Sequence, residues 1–238
     1  LIAVGLGMIG AGRASAVAHY RFHIGGCGMP ATPVDMWAGY GNYKTVIALD
    51  GLRATSRTSG WAHQTNIAKM AYSGVNVVQP VGGLASFYTD WDAKSGNKVK
   101  YRYRWTCRLT KIIEELDARG MAVGRSGKYA IMGISMGGGA ALTYGAYHRK
   151  RISHAFSIMQ LNWMRGMKVR IASATGIWGR YNTYPIGSVK GTPLEILALQ
   201  QAGIFQAAAA AQSVPITTDY ALLGTHQWGY WQDMVWRA

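Results

Sequence analysis

Acidic side chains are scarce in this chain. Its 238 residues carry 10 Asp and Glu against 25 Lys and Arg, for a formal charge of +15 at pH 7. Any chemistry that needs a carboxylate therefore has few residues to draw on. Cysteine is scarcer still. Cys27 and Cys107 suffice for one disulfide in an oxidising compartment or for two free thiols, and their spacing matches no metal site, so no metal or other cofactor is expected. There is no internal repeat and no nucleic-acid-binding motif. Long apolar runs are missing too: Leu1 to Gly12 is apolar and glycine-rich, but it reaches Arg13 well short of the ~20 residues that span a bilayer. With the Ala-x-Ala pattern in Ala14-Ser15-Ala16-Val17-Ala18 behind it, residues 1–20 read as the remainder of a secretory signal or an N-terminal anchor, which places the protein outside the cytoplasmic membrane. The alternative is a buried segment of the domain itself. Residues 21–238, with 49% hydrophobic content, suit one domain with a substantial core.

What the chain does have is a glycine-flanked serine. Gly133-Ile134-Ser135-Met136-Gly137 follows the apolar run Tyr129-Ala130-Ile131-Met132 and precedes the small residues Gly138-Gly139-Ala140-Ala141-Leu142. Gly-x-Ser-x-Gly between a strand and a helix is the nucleophile elbow of the α/β-hydrolases, in which the glycines permit a turn tight enough to lift the serine above the sheet. A Gly-rich turn with a passenger serine is the plainer alternative.

In that fold the acid and then the histidine follow the serine. Of six histidines only His148, His154 and His226 do so, and His148 and His154 sit beside Arg149, Lys150 and Arg151 at a solvated helix end. His226, in Gly224-Thr225-His226-Gln227-Trp228, leaves the strand-like run from Pro215 to Leu223, where the fold presents its base. Between Ser135 and His226 stand two carboxylates, Glu195 and Asp219. Asp219 lies within that last strand. Glu195 heads a helical stretch from Pro193 to Ala211, 31 residues before the histidine, which leaves room for a helix and a strand. Glu195 is thus the expected acid, or else a carboxylate favouring a helix N-terminus; Asp219 is the reserve. The oxyanion hole is expected from two backbone N–H groups, those of Met136 and of Leu52, the latter in the loop after the strand-like Lys44 to Leu49.

Strand-like runs at 45–49, 75–79, 129–133 and 215–223 alternate with helical stretches near 66–73, 110–119, 138–148 and 194–211. That alternation predicts an α/β fold, a mainly parallel central sheet with helices on both faces. No strand stands out ahead of Gly191 to lead into the acid.

Four ordered segments carry a family resemblance. Ala48-Leu49-Asp50-Gly51-Leu52-Arg53-Ala54 with Gly60-Trp61, the long string Gln79 to Trp91, the serine elbow, and Gly224 to Trp231 together resemble the mycolyltransferases, esterases of the antigen 85 type, and in particular their corynebacterial-type members. The resemblance implies acyl transfer in the cell envelope through an acyl-serine, moving mycolyl groups from trehalose monomycolate to a second trehalose monomycolate, to arabinogalactan or to protein hydroxyls. It implies a Ser135, His226 and Glu195 triad, an oxyanion hole from Leu52 and Met136, and a trehalose pocket lined by Asp50, Arg53 and Trp228. Gln64 stands where the family usually has a sugar-contacting asparagine. Asp50 and Arg53 are equally suited to a mutual ion pair. A simple carboxylesterase of the same fold and a decayed glycolipid-binding protein are the alternatives.

The charge points the same way. The densest basic cluster runs from Lys94 to Lys111, and within it Lys98, Lys100, Arg102 and Arg104 alternate with Val99, Tyr101 and Tyr103, a pattern that suits a nucleic-acid backbone. Without a nucleic-acid motif, none is expected as partner. Trehalose mycolates, envelope glycolipids and an anionic lipid or membrane surface are the expected ones.

Overall fold

The computed structural model describes residues 17–39, 41–55, 57–96, 99–121, 127–156, 168–182, 187–211 and 213–237. The apolar leader (1–16) and Lys98 lie outside them. Among the described residues, eight strands form one sheet: β1 (Val17–Ile24), β2 (Thr32–Gly39), β3 (Lys44–Leu49), β4 (Val75–Pro80), β5 (Tyr129–Gly133), β6 (Ile152–Phe156), β7 (Lys168–Ala174) and β8 (Ile216–Ala221). Their order is β1-β2-β4-β3-β5-β6-β7-β8. The strands from β4 across to β8 run parallel, while β1 and β2 form an antiparallel margin. β1 crosses the boundary drawn at residue 21, and Val17 to Tyr20 pair with β2.

The helices are α1 (Gly60–Gln64), α2 (Lys69–Tyr72), α3 (Trp105–Ala118), α4 (Met136–Tyr147), α5 (Gly187–Ala211) and α6 (Trp228–Trp236). They cover both faces, as the side-chain alternation of the central strands requires. Ile47 and Leu49 of β3 point into a core shared with α3, α4 and α5. Val46 and Ala48 point the other way, against Trp61, Ile67, Trp228, Trp231 and Val235. The fold is that of an α/β-hydrolase, as the alternation predicted.

Two expectations change. A strand does precede the acid: β7 pairs in parallel with β8, its apolar pattern broken by Lys168 and Arg170. The helix that carries Glu195 begins earlier than Pro193 and keeps that proline inside it. Proline has no N–H to give to the preceding turn, so the helix continues there with one backbone bond fewer.

Cys27 and Cys107 are joined in a disulfide. Beside it, Arg108 is fully buried, and its guanidinium donates to the carbonyls of Ile24, Gly26, Met29 and Pro30. Burial lowers its pKa. Disulfide and arginine together fasten the β1–β2 loop to α3.

Candidate active site

The elbow is built by the exclusion of side chains. A Cβ on Gly133 would stand 2.1 Å from the carbonyl oxygen of Gly137, and one on Gly137 would stand 2.4 Å from that of Asp50. Only glycine lets β5, α4 and the end of β3 approach so closely. Between them Ser135 is held at φ 50° and ψ −121°, a region that costs a non-glycine residue roughly 1–3 kcal/mol. Strain of this kind collects where a side chain must be presented rather than packed.

Beside Ser135 runs the loop that follows β3. Gly51 lies so near that a Cβ there would be 3.7 Å from the serine Cβ. The next residue, Leu52, and Met136 at the start of α4 offer N–H groups that bond to no other group among the described residues. Leu52 accepts from the Ala85 N–H at 3.0 Å, and the Phe87 N–H lies 3.1 Å from the Met136 sulfur. Both contacts come from the 81–91 loop, where Ala85, Phe87 and Tyr88 all have positive φ. The buried Tyr88 hydroxyl accepts the Asp50 N–H at 3.0 Å and donates to the Gly82 carbonyl. Further out, Arg21 donates to the Arg57 carbonyl while gripping the buried carboxylate of Asp35 with two hydrogen bonds of 2.6 Å.

Asp50 is 1% exposed. Its Oδ1 accepts from the Ser59 hydroxyl at 2.9 Å and the Trp61 N–H at 3.3 Å, and its Oδ2 is buried without a partner. Burial pushes its carboxyl up to about 6, against the opposing hydrogen bonds from Gly60, Ser59 and Trp61. Arg53 is exposed and makes no ion pair with Asp50 or any other carboxylate among the described residues, so the mutual pair does not form. Gln64, the last residue of α1, is exposed.

The other arm comes from the far side of the sheet. Glu195, 1% exposed on α5, turns one oxygen to the Ser173 hydroxyl at 3.0 Å and the Ala174 N–H at 2.7 Å, at the end of β7. Its second oxygen lies 2.9 Å from Nδ1 of His226. A carboxylate only accepts, so the proton sits on Nδ1 and Nε2 is left with a free lone pair. The imidazole edge packs against Trp231 at 4.7 Å, and the His226 N–H bonds the Gly191 carbonyl. Asp219, the reserve acid, is engaged elsewhere: it pairs with Arg170 and Arg237.

Contacts link the two arms. Trp228, two residues past His226, lays its ring where a Gly60 side chain would be, 2.4 Å from that missing Cβ, and meets Trp61 edge to face at 5.3 Å. Gly60 in turn adjoins Asp50. The line Ser135, Gly51, Asp50, Gly60, Trp228 thus runs from the serine to the histidine loop. Ser173, Ala174, Ser59 and Tyr88 were not anticipated. Ser59 stands next to the Gly-Trp pair and was legible in principle; Ser173 sits in a run of small residues with no signal.

A serine on a strained strand-to-helix turn, beside unbonded N–H groups and on the histidine-bearing edge of a parallel sheet, marks an α/β-hydrolase site. The chain belongs to the Esterase family, whose model matches residues 32–237. The resemblance to the antigen 85 enzymes holds over part of the chain. It is 44% identical over 115 residues to the diacylglycerol acyltransferase/mycolyltransferase Ag85B of Mycolicibacterium smegmatis, a match covering 48% of this chain and 35% of that protein. The chain therefore spans about a third of that relative's length. Among solved structures, MPT51 (FbpC1) of Mycobacterium tuberculosis superimposes with a TM-score of 0.67 at 21% identity, covering 92% of this chain and 96% of that one. S-formylglutathione hydrolase (FrmB) of Staphylococcus aureus does so with 0.67 at 13%, covering 94% and 97%. At such identities these two speak for the fold alone. No helix among the described residues is long and apolar enough to cross a membrane.

Proposed function

We propose that this chain is a serine acyltransferase of the cell envelope, moving mycolyl groups from trehalose monomycolate to another trehalose monomycolate, to arabinogalactan or to protein hydroxyls. The observation that carries the proposal is the Glu195–His226 hydrogen bond, with Glu195 held by β7 and the histidine left with Nε2 as acceptor, on the edge where Ser135 is presented. Nε2 of His226 takes the Ser135 proton as Oγ attacks the ester carbonyl. The N–H groups of Leu52 and Met136 receive the developing oxyanion, a contribution of about 10²–10³ in rate per donor. Trehalose leaves with the proton returned by His226, and the incoming hydroxyl reverses the sequence on the acyl-serine.

The sugar sits over Asp50, Arg53, Gln64 and Trp228. Arg53 and Gln64 offer exposed polar groups to the sugar hydroxyls, the buried Asp50 carboxylate braces Ser59 and Trp61 beneath them, and the Trp228 indole faces the apolar side of the ring. The intact Glu195–His226 pair favours a working site over a decayed one. Incubation with a trehalose monoester, followed by intact mass, tests the proposal. A mass gain equal to the acyl group, absent in Ser135→Ala, is expected; no adduct and no ester turnover would overturn it. Release of free acid that added trehalose does not divert would assign a carboxylesterase instead.

A further inference from the structure

The loops at Ser135's edge are greasier than the opposite edge. Because β3 to β8 run parallel, the loops after β3, β4, β7 and β8 all emerge on the side where Ser135 follows β5. There the large exposed apolar residues, Tyr220 near the end of β8 apart, have no hydroxyl: Phe87 (52% exposed) and Trp91 on one flank, Ile177 (55%), Trp178, Leu194 and Leu222 (76%) on the other. At the opposite edge, before β3, before β4 and at the ends of α4 and α6, the exposed large residues are Tyr43, Tyr72, Tyr147 and Trp236, three of the four with a hydroxyl, and the Trp236 indole N–H is spent on Asn66. The second flank is held as a unit. The Gly224 N–H bonds the Ile177 carbonyl at 2.7 Å, and the Thr175 hydroxyl bonds that of Leu222 at 2.6 Å. The Trp178 indole donates to the Thr192 hydroxyl at the Leu194 end of α5. Soluble surfaces rarely gather such side chains around one mouth without a partner.

Charge identifies that partner. The excursion from Trp91 to Arg104 carries Lys94, Lys100 and Arg102, all exposed and in no ion pair among the described residues, against the carboxylates of Asp90 and Asp92. Asp90 is occupied by the Thr106 N–H. We infer that the Ser135 edge docks on an anionic lipid surface, its apolar flanks entering the interface while Lys94, Lys100 and Arg102 meet headgroup anions. Insertion removes apolar area from water, and the basic side chains add a salt-sensitive attraction. The docked face opens the serine directly to lipid, which extends the acyl-transfer reading by saying how a poorly soluble ester reaches the site.

Co-sedimentation with vesicles of phosphatidylcholine and phosphatidylglycerol tests it, using Ser135→Ala protein so that binding is read whether or not the chain is an acyltransferase. Expected is binding that salt weakens, that phosphatidylcholine alone does not support, and that the pair Ile177→Ser and Leu222→Ser lowers roughly tenfold or more. In otherwise native protein that pair leaves hydrolysis of a water-soluble short-chain ester unchanged. Tyr72→Ser with Tyr147→Ser, at the other edge, leaves vesicle binding unchanged. Absence of binding at low salt overturns the inference, as does binding lost through the tyrosine pair but not the Ile177 and Leu222 pair. So does a dimer in sedimentation velocity that the Ile177 and Leu222 pair dissolves without altering vesicle binding, since the face would then belong to a second copy.

Discussion

The two arms of the site are held in place by opposite means. On the serine side, Gly133 and Gly137 admit backbone where any side chain would collide, and Ser135 is strained because its neighbours leave it nowhere else to go. On the histidine side the close approaches are to side chains rather than to backbone: a Cβ on Gly229 would stand 2.4 Å from the Tyr181 ring, and one on Gly224 2.7 Å from the Ala174 Cβ. Ser173 and Ala174 donate hydrogen bonds that aim Glu195, and the His226 backbone N–H donates to the Gly191 carbonyl. Packing defines the first arm and polar pairing the second, so one should fail by unfolding and the other by losing rate while staying folded.

Substitutions can break or sharpen that contrast. Ser135→Ala should remove the chemistry with the fold intact, a loss of about 10⁴–10⁶ in kcat measured on a chromogenic ester. Glu195→Gln keeps the shape and the acceptor for Ala174, but turns an N–H₂ group toward His226 Nδ1 and favours the wrong tautomer. Turnover should fall roughly 10³–10⁴-fold with an unchanged melting temperature. Gly137→Ala should instead cost stability, roughly 3–5 kcal/mol in urea unfolding, through backbone displacement. An equal fall in melting temperature for both Glu195→Gln and Gly137→Ala would erase the distinction between the arms.

Smaller effects sharpen it further. The Cys27–Cys107 bridge closes a sequence separation of 80 that contains β2 to β4 and the Asp50 loop but not His226. Cys27→Ser with Cys107→Ser should lower stability by about 2–4 kcal/mol in urea unfolding. Asp50 should make the smallest difference. Its carboxyl is raised to about 6, so the folded chain binds that proton more tightly than the unfolded chain does. Its contribution is therefore most favourable below the ordinary value of 3.8 and declines as pH rises through about 6. Asp50→Asn should remove a decline of about 1–3 kcal/mol between pH ~4 and ~7, seen as a smaller change in denaturation midpoint.

How much of this could be read from the residues follows from the same physics. β3, β4 and β5 are buried on both faces and stand out as apolar runs. β1 escapes notice because an edge strand exposes His19, Tyr20 and Arg21, and β2 because Asp35 interrupts its pattern, a carboxylate buried only by virtue of a partner on another strand. Glu195 and His226 came within reach because acids and histidines are few, so order along the chain was nearly enough to select them. Ser173 and Ala174 could not be selected that way. Their role depends on where β7 ends relative to a helix that starts later, and small residues carry no mark of it.

The indole resting in the space above Gly60 has a consequence for descent. Position 228 can hold tryptophan in this pose only as long as position 60 stays bare. Two places 168 steps apart should therefore drift as one: a lineage that gains bulk at the first should be found to have surrendered its tryptophan at the second.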